Sequence, residues 1–96
     1  MVTAMPLLDD AAVDTALQHL GWARSDDGQL MKVVTRDDFT EAMDFVNEVA
    51  GLAEAANHHP DIDIRWNKIT LHLSTHSAGG ITEKDLALAD QIDGLG

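Results

Sequence analysis

Ile62-Asp63-Ile64-Arg65-Trp66-Asn67-Lys68-Ile69-Thr70-Leu71-His72-Leu73 is the stretch on which the reading of this fold turns. Residues 62–66 and 69–73 each alternate apolar and polar side chains with the period of two that a half-buried β-strand requires. With Asn67-Lys68 as a two-residue turn, Trp66 faces Ile69, Ile64 faces Leu71 and Ile62 faces Leu73 on one side. Arg65 then faces Thr70, and Asp63 faces His72, on the other. One register puts apolar against apolar throughout, which is how a buried face specifies strand pairing.

Upstream of this hairpin lies Asn57-His58-His59-Pro60, and before it the longest amphipathic run. Phe39, Ala42, Met43, Val46, Val49, Ala50, Ala53 and Ala56 follow helical spacing and predict a wide buried face. Phe45 and Leu52 broaden that face toward a second layer or a partner subunit. Asp38 and Glu41 form an acidic variant of the capping box at its head. The helix is expected to stop near Asn57, because Pro60 biases His59 toward extended geometry.

Further back, residues 22–25 and 30–35 read as two strands around Asp26-Asp27-Gly28-Gln29, whose Asp-Gly pair is a hairpin signal. Asp9 or Asp10 caps a first helix that carries Val13, Ala16, Leu17 and Leu20 on one face, with Gly21 closing it at C′. Downstream, Ser77-Ala78-Gly79-Gly80 is a flexible turn. A last helix begins at Thr82, where Thr82 and Asp85 make a capping box and Ile81 and Leu86 a hydrophobic staple. Leu86, Ala89 and Ile92 share its buried face, and Gly94 ends it. The order helix, two strands, helix, two strands, helix predicts an α+β fold with an antiparallel sheet.

Composition narrows the function classes. A chain of 96 residues, 45 % of them apolar, fits a single domain spanning 1–96 with one core. Without cysteine, disulfides, thiolate catalysis and cysteine-zinc sites are excluded. A net charge of −11 with six scattered basic residues offers no patch for nucleic acid or for an anionic membrane. Met1-Val2-Thr3-Ala4-Met5-Pro6 has neither a basic region nor a long apolar run, so it is not read as a signal peptide. A soluble cytoplasmic protein is the expectation.

The five histidines divide into two groups. His72 reads as an exposed cross-strand neighbour of Asp63, and His19 lies near a helix C-terminus that favours a cationic imidazole. His58, His59 and His76 instead fall at a helix exit and just past a strand end, where loops build sites. Imidazole titrates near neutrality, which suits it to proton transfer. No metal site is expected: on a strand His72 and His76 stand roughly 13 Å apart at about 3.3 Å per residue, and adjacent His58 and His59 diverge. Glu54 reads equally as an exposed helical acid, Asp85 as a cap, and Trp66 as core. Ser74, Thr75 and Ser77 are strand-end residues and form no catalytic triad.

Glu54, then after three positions His58-His59-Pro60, after five Trp66, after nine His76, and then Asp85, together resemble the signature of the pterin-4a-carbinolamine dehydratases. Asn57, Asn67-Lys68 and Leu73-Ser74-Thr75-His76 look like the same family, and the likeness covers nearly the whole chain. The resemblance implies a four-stranded antiparallel sheet with helices packed on one face, assembled as a homodimer or homotetramer. It implies a lyase that removes water from a 4a-hydroxytetrahydropterin to give a quinonoid dihydropterin, recycling the pterin of aromatic amino acid hydroxylases without a metal or other cofactor. On that reading His58, His59 and His76 are catalytic, with His59 the acid toward the leaving hydroxyl. Trp66, Glu54, Asn57, Pro60, Ser74 and Thr75 are candidates for contact with the pterin, and Asp85 supports the loop. Some relatives also act as transcriptional coactivators or assembly chaperones, which makes an interaction protein the alternative. A pterin binder of another pathway is a third.

Overall fold

The computed structural model describes residues 6–95, so residues 1–5, read above for a leader, lie outside it. Seven elements follow one another: α1 (Asp10–Leu17), β1 (Ala23–Arg24), β2 (Leu30–Thr35), α2 (Phe39–Ala56), β3 (Asp61–Arg65), β4 (Lys68–Leu73) and α3 (Glu83–Asp93). The strands form one antiparallel sheet in the spatial order β1-β2-β4-β3. This is the α+β architecture that the order of periodicities predicts.

The inner strand β4 shows why. Ile69, Leu71 and Leu73 are fully buried on one face, beside Val34 and Leu30 of β2. The helices supply the other half of the core: Ala42, Phe45, Val46, Val49 and Ala53 from α2, and Leu88, Ala89 and Ile92 from α3. Each fully buried Leu or Ile is worth about 1.5–3 kcal/mol of transfer free energy, so this seam dominates the stability. On the opposite face of the sheet Val33 stays exposed and its partner is Thr70. Among the described residues only the first face is covered.

The predicted caps form. Asp38 accepts from the Glu41 N–H at 2.9 Å, and Thr82 with Asp85 completes a reciprocal capping box at α3. The first hairpin closes as expected, Ala23 facing Met31 around a turn in which Gly28 has φ of +80°.

Five expectations are corrected. The β3–β4 register is displaced by two residues: Ile64 faces Ile69, Ile62 faces Leu71, and the loop is Trp66-Asn67 rather than Asn67-Lys68. Asn67 is held there by Arg36, whose carbonyl accepts from Asn67 Nδ2 at 2.8 Å and whose N–H donates to the Asn67 carbonyl at 2.9 Å. An even slip keeps every side chain on its face, so the apolar pattern alone cannot detect it. Trp66 is consequently not a core partner of Ile69; it is 65 % exposed, with φ of 52°.

For the same reason His72 faces Asp61, while Asp63 faces Thr70 and bonds Arg65 at 3.1 Å. The first helix ends at Leu17, because Gln18 and His19 turn into tighter bonds to Thr15 and Ala16. Gly21 is therefore not its C′ residue. Finally, the buried stripe of α2 is centred on Ala42, Val49 and Phe45. At about 100° per residue that carries Phe39 and Ala50 to its margin, where both are exposed.

Asp93 fastens the two ends of the fold together. Its Oδ1 accepts from Trp22 Nε1 at 2.9 Å and Lys32 Nζ at 2.5 Å, and its Oδ2 from the Gly21 N–H at 2.8 Å. Partial burial alone would raise this carboxyl, but the bonds from Lys32 and Gly21, the Lys32 charge and the Trp22 bond outweigh it and hold the group below the ordinary carboxylate value. No helix among the described residues is long and apolar enough to cross a membrane.

Candidate active site

The end of α2 sets the first histidine. Asn57 adopts the left-handed conformation at φ 50°, its N–H donating to the Glu54 carbonyl at 3.2 Å while the His58 N–H donates to Ala53 at 3.1 Å. Those two bonds are the Schellman termination, for which asparagine is the best substitute for glycine. The chain therefore leaves the helix at a fixed angle, and His58 turns inward toward the start of α3.

There the His58 imidazole meets Asp85. Nε2 lies 2.5 Å from Oδ1, with the carboxylate fully buried and the His58 side chain 12 % exposed. The other oxygen, Oδ2, accepts from the Thr75 hydroxyl and from the Thr82 N–H, both at 2.8 Å. Because Thr75 gives its single hydroxyl proton to Asp85, Thr82 is the donor in the 2.7 Å bond between the two threonines. A buried carboxylate is tolerable only when its lone pairs are met, and here three donors and the N-terminus of α3 meet them. With Asp85 an acceptor on both oxygens, His58 donates from Nε2. Among the described residues its Nδ1 makes no hydrogen bond.

His59 makes a second, different pair. Its Nε2 contacts Glu54 Oε2 across the last turn of α2, and both side chains are largely exposed. Beyond β4, Ser74 and Thr75 lead into the turn that carries His76, which is exposed. Asn57, His58, His59, Ser74, Thr75, His76, Ser77 and Lys84 surround one open cleft of about 410 Å³. Clefts of this size hold small organic ligands. Among the described residues no three His, Asp or Glu side chains converge as a metal site.

Most of the predicted set is thus brought together: the three histidines, Asn57, Ser74 and Thr75 line the cleft, Glu54 and Asp85 stand behind His59 and His58, and Pro60 follows His59 into β3. Trp66 is not among them. It sits at the far end of the β3–β4 hairpin, five to six residues of strand away. Two participants escape a sequence reading. Lys84 is the one fixed cation in the lining, and only its place just inside the Thr82 cap hints at it. Thr82 belongs to the Asp85 network as well as to the cap.

The family described as pterin 4 alpha carbinolamine dehydratase matches residues 6–95. The chain belongs to the pterin-4a-carbinolamine dehydratase family. A relative from Mycobacteroides abscessus, provisionally named a pterin-4-alpha-carbinolamine dehydratase, is 53 % identical over 90 residues, covering 93 % of this chain and 95 % of its own. Another so named, from Thermomicrobium roseum, is 53 % identical over 89 residues, 92 % of this chain and 95 % of that one. Among solved structures, a transcriptional coactivator/pterin dehydratase from Brucella melitensis superposes with a TM-score of 0.88 at 30 % identity, over 92 % of this chain and 96 % of that one. A pterin dehydratase-like protein identified as a RuBisCO assembly factor of the alpha-carboxysome shares the fold, with a TM-score of 0.66 at 22 % identity over 80 % of this chain and 90 % of that one. In this member of the dehydratase family, then, the paired histidines open toward one cleft and each is backed by a carboxylate.

Proposed function

We propose that this chain is a lyase that dehydrates a 4a-hydroxytetrahydropterin to the quinonoid dihydropterin. The observation that carries the reading is the buried Asp85 holding His58 beside His59 and His76 on a single cleft. In the reaction the C4a–O bond breaks and the hydroxyl leaves as water after accepting a proton. The N5–H bond breaks too, and its electrons form the C4a=N5 bond. One proton is given and one taken, so the site needs an acid and a base that exchange roles near neutral pH, which imidazoles do. His59 gives the proton to the hydroxyl. His58 and His76 take the N5 proton or hold the ring, His58 being steered by Asp85 through Nε2 as a histidine in a catalytic dyad is. The product re-enters the cycle of an aromatic amino acid hydroxylase, in the cytoplasm, and the working form is a homodimer or homotetramer.

The test is dehydration of freshly generated 4a-hydroxytetrahydropterin with and without the protein, followed by absorbance of the quinonoid product. The expected result is acceleration that falls on the order of 10²-fold or more in His59→Ala or His76→Ala. No acceleration by the folded wild-type chain across several pterins would instead favour an interaction role. Half-exposed Phe39, and the coactivator and assembly-factor names of the two structural relatives, supply that second reading.

A further inference from the structure

Thr75 is bonded in two directions at once. Its backbone closes the turn that carries His76. The Thr75 N–H donates to the Gly80 carbonyl at 2.8 Å, and the Thr75 carbonyl accepts from Ala78, Gly79 and Gly80 at 3.0, 2.9 and 3.3 Å. Gly79 makes the reversal with φ of +78°, and its N–H also donates to the His76 carbonyl at 3.1 Å. His76 is therefore the first residue inside a loop pinned at Thr75 and Gly80.

The side chain of Thr75 is engaged elsewhere. Its hydroxyl donates to Asp85 Oδ2 at 2.8 Å and accepts from Thr82 at 2.7 Å, with Thr75 only 5 % exposed and Thr82 and Asp85 fully buried. The other oxygen of that carboxylate holds His58. The base of the His76 loop and the imidazole of His58 are thus tied to a single buried group.

Two simpler roles leave this arrangement unexplained. As a loop residue alone, Thr75 needs only its backbone, which any residue except proline supplies. As a donor to a ligand it would need a free proton, and its single one goes to Asp85. We propose that Thr75 is a positioning residue that fixes where His76 stands relative to His58. The inference deepens the dehydratase reading and rests on it for its kinetic test alone. Relative placement leaves a recognisable mark. Once either histidine is gone there is nothing left to place, so the losses do not add.

The kinetic test is a pair of double-mutant cycles on the whole chain. Thr75→Val keeps the shape and removes the hydroxyl. Dehydration should fall about 10–100-fold, as when a partner that orients a functional histidine is lost. The same substitution should cost less than about threefold where His58→Ala or His76→Ala is already present. Thr75→Ser keeps the hydroxyl and should hold the rate within about twofold of wild type. That comparison stands whether or not the valine variant folds.

The second test needs no turnover. In two-dimensional NMR of the histidine rings, Thr75→Val should move the His58 and His76 resonances together and leave His19 in place. Thr70→Val makes the same change on the opposite face of the sheet, beside Val33, and should move neither. Movement of His58 alone, full additivity in either cycle, or a marked loss in the serine variant overturns the proposal. A wild type without dehydration but with both rings moving would retain Thr75 as the link and remove the lyase. Dehydration with both rings unmoved would do the reverse.

Discussion

His58 and Asp85 lie 27 positions apart in the chain and 2.5 Å apart in space, Nε2 against Oδ1. One carboxylate closes the capping box of α3 with its second oxygen and steers a histidine of the cleft with its first. The cap and the site are therefore a single structure: what orients the imidazole is the start of a helix, buried and held by Thr75 and Thr82. A side chain mounted this way keeps its angle more tightly than one resting on an exposed partner.

Asp85→Asn tests that coupling. Asparagine keeps the shape but replaces one acceptor oxygen with a donor, so either His58 Nε2 or the Thr75 and Thr82 donors must face another N–H. Dehydration should fall about 10–100-fold, the usual cost of losing a partner that orients a functional histidine. Unfolding should become easier by about 1–3 kcal/mol, because a buried donor loses its partner. Rapid-mixing kinetics and thermal unfolding on the same preparation read both. A rate within twofold of wild type would mean that Asp85 is a cap and nothing more.

Glu54→Gln should do far less. The Glu54 and His59 side chains are 77 % and 56 % exposed, and exposed ion pairs contribute about 0–1 kcal/mol. The dehydration rate should drop by no more than about fivefold, and high salt should produce part of the same loss in wild type. The informative comparison is with Asp85→Asn under identical conditions. Equal losses in the two variants would place the exposed pair, rather than the buried one, at the centre of the chemistry.

Asp93 predicts an acid-sensitive joint. Its folded-state carboxyl lies below the ordinary value, so its contribution is present above the unfolded range near pH 3.9 and is lost as pH falls through the depressed value. Asp93→Asn should be less stable than wild type by about 1–3 kcal/mol at neutral pH, the scale of hydrogen bonds to a charged group. The gap should hold down to about pH 5 and close below about pH 4. Urea unfolding of both proteins across that range measures it, and a gap that stays constant into strong acid would exclude the carboxylate as its source.

Much of this was legible in the sequence, for identifiable reasons. Period-two alternation marks β4 because Ile69, Leu71 and Leu73 must be buried against two helices. Thr82 and Asp85 mark α3 because helix starts leave N–H groups that only nearby side chains can meet. His58 and His59 stand out because Pro60 forces the chain out of the helix beside them. Hidden instead were the features decided by contacts between distant segments. Arg36 fixes the Asn67 position from 31 residues away, and a two-residue slip leaves the apolar pattern unchanged. The His58–Asp85 bond was hidden too, since the capping role by itself accounts for an aspartate at that position. Lys84 joins the cleft through the placement of α3, which no local pattern states.

The hairpin loop supplies the last prediction. Trp66 occupies the first loop position with φ of 52°, while Asn67 is not in the left-handed region. That is the pattern of a turn whose first residue is ordinarily glycine. For an L residue the left-handed region costs roughly 1–2 kcal/mol, and a β-branched side chain tolerates it worst. The exposed indole returns little of that through burial. Trp66→Gly should therefore be neutral or stabilising by up to about 1 kcal/mol once the extra freedom of glycine in the unfolded chain is counted. Trp66→Val should lose a comparable amount, so the melting temperatures should rank Gly, Trp, Val from highest to lowest. At about 4–8 °C per kcal/mol in a domain of this size, the spread is easily measured. Should Trp66→Gly melt well below wild type, the indole must be packed against something outside the single chain, and a concentration dependence of the loss would identify that partner as a second copy.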